Sequence, residues 1–200
     1  MKLVFATNNR HKIEEISDLL GGSFVLKSLK DLEISDDIPE DYHTLEENAL
    51  FKARYINKLT GMNVFADDTG LEIDALNGRP GVHSARFAGA GKNFEANIDK
   101  ALLLMTGVTE RRARFRTVIA LIFNGSEYLF EGRVEGIITT ERRGKQGFGY
   151  DPVFVPEGKN KTFAEMTLDE KNKISHRANA FIKLKEFLAG KGEPGNKKTK

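Results

Sequence analysis

The 200-residue chain has no cysteine, no tryptophan and only five prolines. Without cysteine there is no disulfide framework, no thiolate nucleophile and no Cys-based zinc site. The four histidines, at 11, 43, 83 and 176, are far apart and make no H-x-x-x-H pair, which argues against a zinc centre of any kind. The longest strongly apolar runs, Val118–Phe123 and Ala101–Met105, fall far short of the roughly 18 residues of a membrane helix. The opening MKLVFATNN turns polar too early to be the apolar core of a cleavable leader, so a cytoplasmic protein is expected. Charge of one sign is also missing: 31 Lys+Arg against 29 Asp+Glu leave a net charge of +2. Residues 191–200 hold four lysines and one glutamate, so the rest of the chain carries −1. That balance excludes a globally basic nucleic-acid binder. The tail itself, broken by Gly192, Pro194 and Gly195, reads as a flexible extension. A composition of 40% hydrophobic and 30% charged residues belongs to a folded domain, here residues 1–190.

What is present alternates between strand and helix signals. Leu3–Ala6 reads as a short buried strand, Thr7-Asn8-Asn9 as a loop, and Lys12–Leu20 as an amphipathic helix stopped by Gly21-Gly22. Phe24–Leu29 is a second strand. Thr44-Leu45-Glu46-Glu47 fits a capping box opening a helix to about Thr60. Val64–Ala66 is a strand that runs into Asp67-Asp68-Thr69-Gly70, and Leu71–Leu76 extends again. Phe94–Met105 is helical, with Gly107 as its stop. Arg114–Phe123 and Glu127–Thr139 make a hairpin around Asn124-Gly125. A Gly/Pro-rich loop over 144–158 contains FGYDPVF, Thr167–Glu170 is another capping box, and Ser175 precedes a last helix to Leu188. This order predicts an α/β fold with a mixed sheet.

Two side chains break the helical pattern. At about 100° per residue, Lys52 falls about 20° from Leu45, inside the apolar stripe. It is either a snorkelling lysine or an ammonium aimed at an anion. Arg177 lies about 40° from Phe181 in the last helix. It needs either an internal carboxylate or another planar acceptor for its fork. The Thr7–Lys12 turn, between strand and helix, offers donors to an anion but also fits an ordinary N-cap. Asp67 and Asp68, at a strand end, point to opposite faces and so differ in role; one could bind a hard cation or orient water. Glu40 could add an oxygen ligand. Gly89-Ala90-Gly91-Lys92 is not a phosphate loop, because Arg86 stands where its first glycine belongs and Asn93 replaces Ser/Thr. There is no G-x-S-x-G elbow. Arg112, Arg114 and Arg116 alternate along one strand face, as a solvated face or, in a minority reading, a nucleic-acid contact.

Taken together, five ordered segments resemble the inosine triphosphate pyrophosphatase family, also called dITP/XTP pyrophosphatases. They are ATNNRHK, ENALFKA, ADDTGLEIDALNGRPGVHSAR, FGYDPVF and EMTLDEKNKISHR, spanning residues 6 to 177. The resemblance implies an elongated, two-lobed α/β domain around a long mixed sheet, with the active cleft between the lobes. It also implies hydrolysis of deaminated purine triphosphates (ITP, dITP, XTP, dXTP) to monophosphate and pyrophosphate. By carry-over, Thr7, Asn8, Asn9, Arg10, His11, Lys12, Lys52 and Lys171 contact the triphosphate. Glu40 and Asp68 hold Mg²⁺, with Asp68 the base for water and Thr69 beside it. Phe148, Gly149, Tyr150 and Asp151, with His176 and Arg177, form the base pocket, Arg177 and His176 donating to a 6-keto oxygen. A homodimer, with no membrane and no stable nucleic-acid complex, is expected. The rivals are a Maf-like pyrophosphatase, against which the SHR and FGYD motifs argue, and a non-catalytic nucleotide or nucleic-acid binder.

Overall fold

The structure, a computed structural model, describes residues 2–20, 25–36 and 38–190. The Gly21-Gly22 helix stop, Phe24 and the 191–200 tail lie outside the described residues. In chain order the elements are β1 (Lys2–Phe5), α1 (Arg10–Leu20), β2 (Val25–Ser28), α2 (Leu45–Thr60), β3 (Val64–Ile73), β4 (Pro80–Gly81), α3 (Phe94–Leu104), β5 (Arg112–Phe123), β6 (Ser126–Ile138), β7 (Phe154–Pro156), α4 (Leu168–Asn172) and α5 (His176–Ala189). The strands form one seven-stranded mixed sheet in the order β2-β1-β3-β5-β6-β7, with β4 added on β3. The first strand is parallel to both neighbours, in registers Leu3↔Leu26 and Phe5↔Phe65. Strands β3 and β4, and β6 and β7, are antiparallel. The α/β class expected from the alternating signals is what forms.

The chain divides into two compact units: Met1–Asp68 with Thr117–Gly132 and Arg177–Lys200, and Thr69–Arg116 with Arg133–His176. Strands β3, β5 and β6 each run from one unit into the other. The first unit has its own core of Leu3, Phe5, Ile16, Phe65, Ile119, Leu121, Phe181 and Leu184. Phe5 and Phe65, cross-strand partners, stack at 4.4 Å. A short parallel strand covered on both faces must be apolar throughout, and Leu3, Val4 and Phe5 are all buried. The second unit is built around Leu71, Ile73, Ile98, Met105, Phe115, Phe154 and Phe163.

Local signals set most element ends. Thr44 caps α2 by accepting the Glu47 N–H at 3.1 Å. The Thr167–Glu170 box closes in both directions, at 3.2 and 2.8 Å. Asn124 and Gly125 both adopt positive φ, 49° and 78°, as a two-residue primed hairpin turn requires. The break expected at Asp67–Gly70 does not occur. Instead β3 continues through all four residues to Ile73, because partners on both faces compensate the two carboxylates. The Arg112/114/116 face is not a bare cationic strip: Arg114 pairs with Asp74, and Arg116 reaches Glu72 at 3.3 Å. No helix among the described residues is long and apolar enough to cross a membrane.

Candidate active site

In the first unit, charged groups converge inside an otherwise apolar interior. Strand alternation separates the two adjacent acids of β3. Asp67 faces α1 and α5: its carboxylate accepts from Lys12 Nζ at 2.9 Å and from Arg177 Nε at 3.2 Å. Arg177 also donates through Nη1 to Glu15 on α1. Asp68 faces α2, where Lys52 Nζ lies 3.5 Å from Oδ1 and also donates to Glu40. Lys52, Asp67, Asp68, Glu15 and Arg177 are all buried. Charges out of water persist only in pairs, and each of these has one. For Lys52, the partner is a pair of carboxylates. For Arg177, the internal carboxylate pair left open above is what the structure contains.

The two acids therefore differ electrostatically. Burial would raise Asp67, but Lys12 and Arg177, with Lys52 behind them, outweigh it and hold its carboxyl well below the usual range. For Asp68 burial prevails over Lys52 and Lys12, and Glu40 and Asp67 add to it, so its carboxyl is pushed up. Burial opposes the charge on Lys52, yet Asp68 and Glu40 overcome that and push the ammonium up. Burial pulls Lys12 down, with Asp67 opposing. Asp68 keeps one buried oxygen, Oδ2, without a hydrogen-bond partner.

That spare oxygen bears on whether a divalent cation fits. Among the described residues no group of three or more His, Cys, Asp or Glu side chains forms a ready-made metal cage. Two hard carboxylates, Glu40 and Asp68, do converge on Lys52. Two protein carboxylates completed by water and phosphate oxygens are the usual donor set for Mg²⁺, so the residues fit it.

The rest of the Thr7–Lys12 turn behaves differently from Lys12. Asn9 Oδ1 accepts the N–H groups of His11 and Lys12 at 3.0 and 3.3 Å, and Thr7 Oγ1 accepts that of Asn9 at 3.1 Å. This is N-capping. Asn8 is exposed, and Arg10 and His11 lie on the outer side of α1 beside Glu14, at 2.8 and 3.8 Å.

The second unit gathers the remaining residues. Asp151 accepts from the Phe148 N–H at 2.9 Å and from Lys171 Nζ at 2.6 Å, both charges buried. The loop can close this tightly because Gly147 has φ 73° and a Cβ there would strike the Asp151 carboxylate. Lys171 Nζ sits 5.1 Å from the ring centre of half-buried Phe148. Gly149 also takes positive φ, 61°. Tyr150 is buried and donates to the Ser84 carbonyl at 3.0 Å. The buried His176 ring stacks on Phe115 at 4.5 Å and 13°. Thr69, half-buried, directly follows Asp68 on β3. Thus Lys171 belongs to the same unit as the FGYD loop, Lys12 and Lys52 belong to the other, and His176 and Arg177, though adjacent, fall in different units.

Sequence reasoning missed Glu15. On α1 it falls about 40° beyond Leu19, just outside the stripe of Ile13, Ile16 and Leu19, so the helical phase that exposes Lys52 and Arg177 does not single it out.

The model of the Ham1 family matches residues 3–187. A dITP/XTP pyrophosphatase of Porphyromonas gingivalis is 52% identical over 188 residues, 94% of this chain and 97% of that protein. One from Thermoanaerobacter pseudethanolicus is 50% identical over 191 residues, covering 94% and 96%. Among solved structures, the Ham1 protein of Staphylococcus aureus is similar at 39% identity and TM-score 0.86, covering 96% of this chain and all of that one. A HAM1 protein from Coxiella burnetii gives 38% and 0.87, with 95% and 99% covered. A family model spanning almost the whole chain, relatives sharing half its residues and the same fold in solved structures lead to one conclusion: the chain belongs to the Ham1 family.

Proposed function

We propose that this protein hydrolyses deaminated purine nucleoside triphosphates (ITP and XTP, ribo or deoxy) to the monophosphate and pyrophosphate, removing them from the nucleotide pool. The names of its relatives support the reaction class. The observation that carries the mechanism is the unlike environment of Asp67 and Asp68. Adjacent titratable groups driven apart in this way mark an acid–base assignment. Asp67 is saturated by Lys12 and Arg177 and stays an anion. Asp68 has a spare buried oxygen, and we assign it to take the proton from the attacking water.

A bound Mg²⁺, held by Glu40 and Asp68, supplies Lewis-acid polarisation of the phosphoryl oxygens. Lys12 and Lys52 offset triphosphate charge, and the Asn9-capped turn orders the entry to α1 that carries Lys12. Water attacks the α-phosphorus in line, Asp68 removes its proton, and pyrophosphate leaves in the same step. Positioning and charge stabilisation do most of the work.

The FGYD loop takes the base. Phe148 presents its ring for stacking, while Lys171 and Asp151 hold the loop behind it. His176 and Arg177 read a 6-keto oxygen, which adenine's amino group cannot replace without leaving a buried donor unpaired. For Arg177 this means exchanging a carboxylate contact for the base. Arg177→Ala separates the possibilities: an eroded ITP/ATP ratio supports base reading, and an unchanged ratio with slower turnover assigns Arg177 to Asp67 alone. We include in the proposal a cytoplasmic homodimer, which light scattering after size exclusion tests.

The direct test is incubation with dITP and Mg²⁺ followed by product separation. Monophosphate and pyrophosphate are expected; orthophosphate would reject the bond choice. ATP turnover matching that of dITP would reject the deaminated-purine assignment.

A further inference from the structure

Asn48 is an anomaly that the reaction above leaves unused. It lies on α2, fully buried, four residues before Lys52 and on the same face. An amide in an apolar stripe must satisfy its polar atoms, and this one does so on a single residue of the preceding loop. Its Oδ1 accepts the Tyr42 N–H at 3.1 Å and its Nδ2 donates to the Tyr42 carbonyl at 3.4 Å. The carboxamide thus pairs with the backbone of Tyr42 as a neighbouring strand would. Only a side chain with one donor and one acceptor side by side can do this. Aspartate would face the carbonyl with a second acceptor, and leucine would strand both backbone groups.

Tyr42 is two residues after Glu40. The helix therefore grips this stretch twice: Asn48 holds the Tyr42 backbone, and Lys52 holds the Glu40 side chain. The Tyr42 ring packs on Phe51 of the same helix at 5.3 Å. Further back, Tyr55 donates to Asp36 at 2.8 Å, a second pin on the loop.

We propose that Asn48 is a positioning residue that fixes the Tyr42 backbone so that the Glu40 carboxylate stands beside Lys52 and Asp68, where a divalent cation binds. This rests on the reading of Glu40 as a metal ligand. Residues that orient metal ligands typically contribute about 10- to 100-fold to metal affinity.

Mn²⁺ alone, titrated into the protein and followed by electron paramagnetic resonance, reads the effect without turnover. Asn48→Ala is expected to weaken Mn²⁺ about tenfold or more, to abolish exchange protection of the Tyr42 amide, and to add nothing in a Glu40→Gln background. In turnover, half-saturating Mg²⁺ rises while the rate at saturating Mg²⁺ recovers, a split that general destabilisation does not produce. Tyr42→Pro removes the N–H that Asn48 accepts and leaves α2 intact, so it decides the matter if Asn48→Ala does not fold; the same loss of Mn²⁺ affinity is expected. If Glu40→Gln weakens Mn²⁺ but Tyr42→Pro and any folded Asn48→Ala protein bind it like the wild type, the positioning role is overturned and the metal reading stands. If Glu40→Gln itself binds Mn²⁺ normally, both fall.

Discussion

Glu15 offers a direct check on the buried charge network. Its carboxylate and the Arg177 guanidinium are 6% and 2% exposed, so water supplies almost no compensation to either. Glu15→Leu removes one partner without emptying space, and the new side chain continues the stripe of Ile16 and Leu19 on α1. What remains is a guanidinium in the first turn of α5, where the helix dipole disfavours a cation, with Asp67 still paired to it at 3.2 Å. Breaking a buried pair costs about 3–5 kcal/mol. Because Asp67 stays, the lower end applies, about 3 kcal/mol. For a chain of this size that is a fall in Tm of about 6–12 °C. Differential scanning fluorimetry and urea titration both read it. The charge argument has an internal control: Arg177→Leu added to Glu15→Leu removes both members, so the double variant should lose less than the sum of the singles. A drop for Glu15→Leu below about 2 °C, or strict additivity, would refute the claim that these charges are desolvated and coupled.

Other outcomes follow from the same structure. Asp68→Asn should lower turnover by about a hundredfold to ten-thousandfold, the range of a general base, while Tm holds. Asp67→Asn should instead lower Tm by about 6 °C or more, since it breaks contacts to both Lys12 and Arg177; equal effects of the two substitutions would erase their division of labour. Burial pushes the Tyr150 phenol above its ordinary value, so the folded state keeps this proton when the unfolded chain has lost it. The resulting stability is fully present below about pH 10 and declines as pH rises beyond it. Tyr150→Phe should cost about 1 kcal/mol near neutrality, for the bond to Ser84, and make the alkaline decline shallower. Parallel declines of the two proteins, measured by urea unfolding across pH, would contradict this.

How much was legible in the sequence depended on the kind of signal. Capping residues and turn glycines act locally, so Thr44, Thr167 and Asn124-Gly125 marked their elements correctly. Helical phase exposed Lys52 and Arg177 as inward charges, and both are buried. It could not name their partners, because Asp68 and Glu40, or Glu15 and Asp67, are brought to them by the sheet and by a loop. The break expected in β3 shows the reverse failure. Paired aspartates look like a turn when considered alone, and only cations from α1, α2 and α5 make a continuous strand tolerable there. The resemblance assigns Lys171 to the triphosphate, but no local pattern could show that its buried ammonium pairs with Asp151. Helical phase places Asn48 on the buried face of α2 but cannot show that its amide clamps the backbone of a loop.

The central claim is that water attacks the α-phosphorus. Turnover of dITP in heavy-oxygen water, with mass spectrometry of both products, tests it most directly. The account predicts one heavy oxygen in the monophosphate and none in the pyrophosphate; label in the pyrophosphate would contradict it.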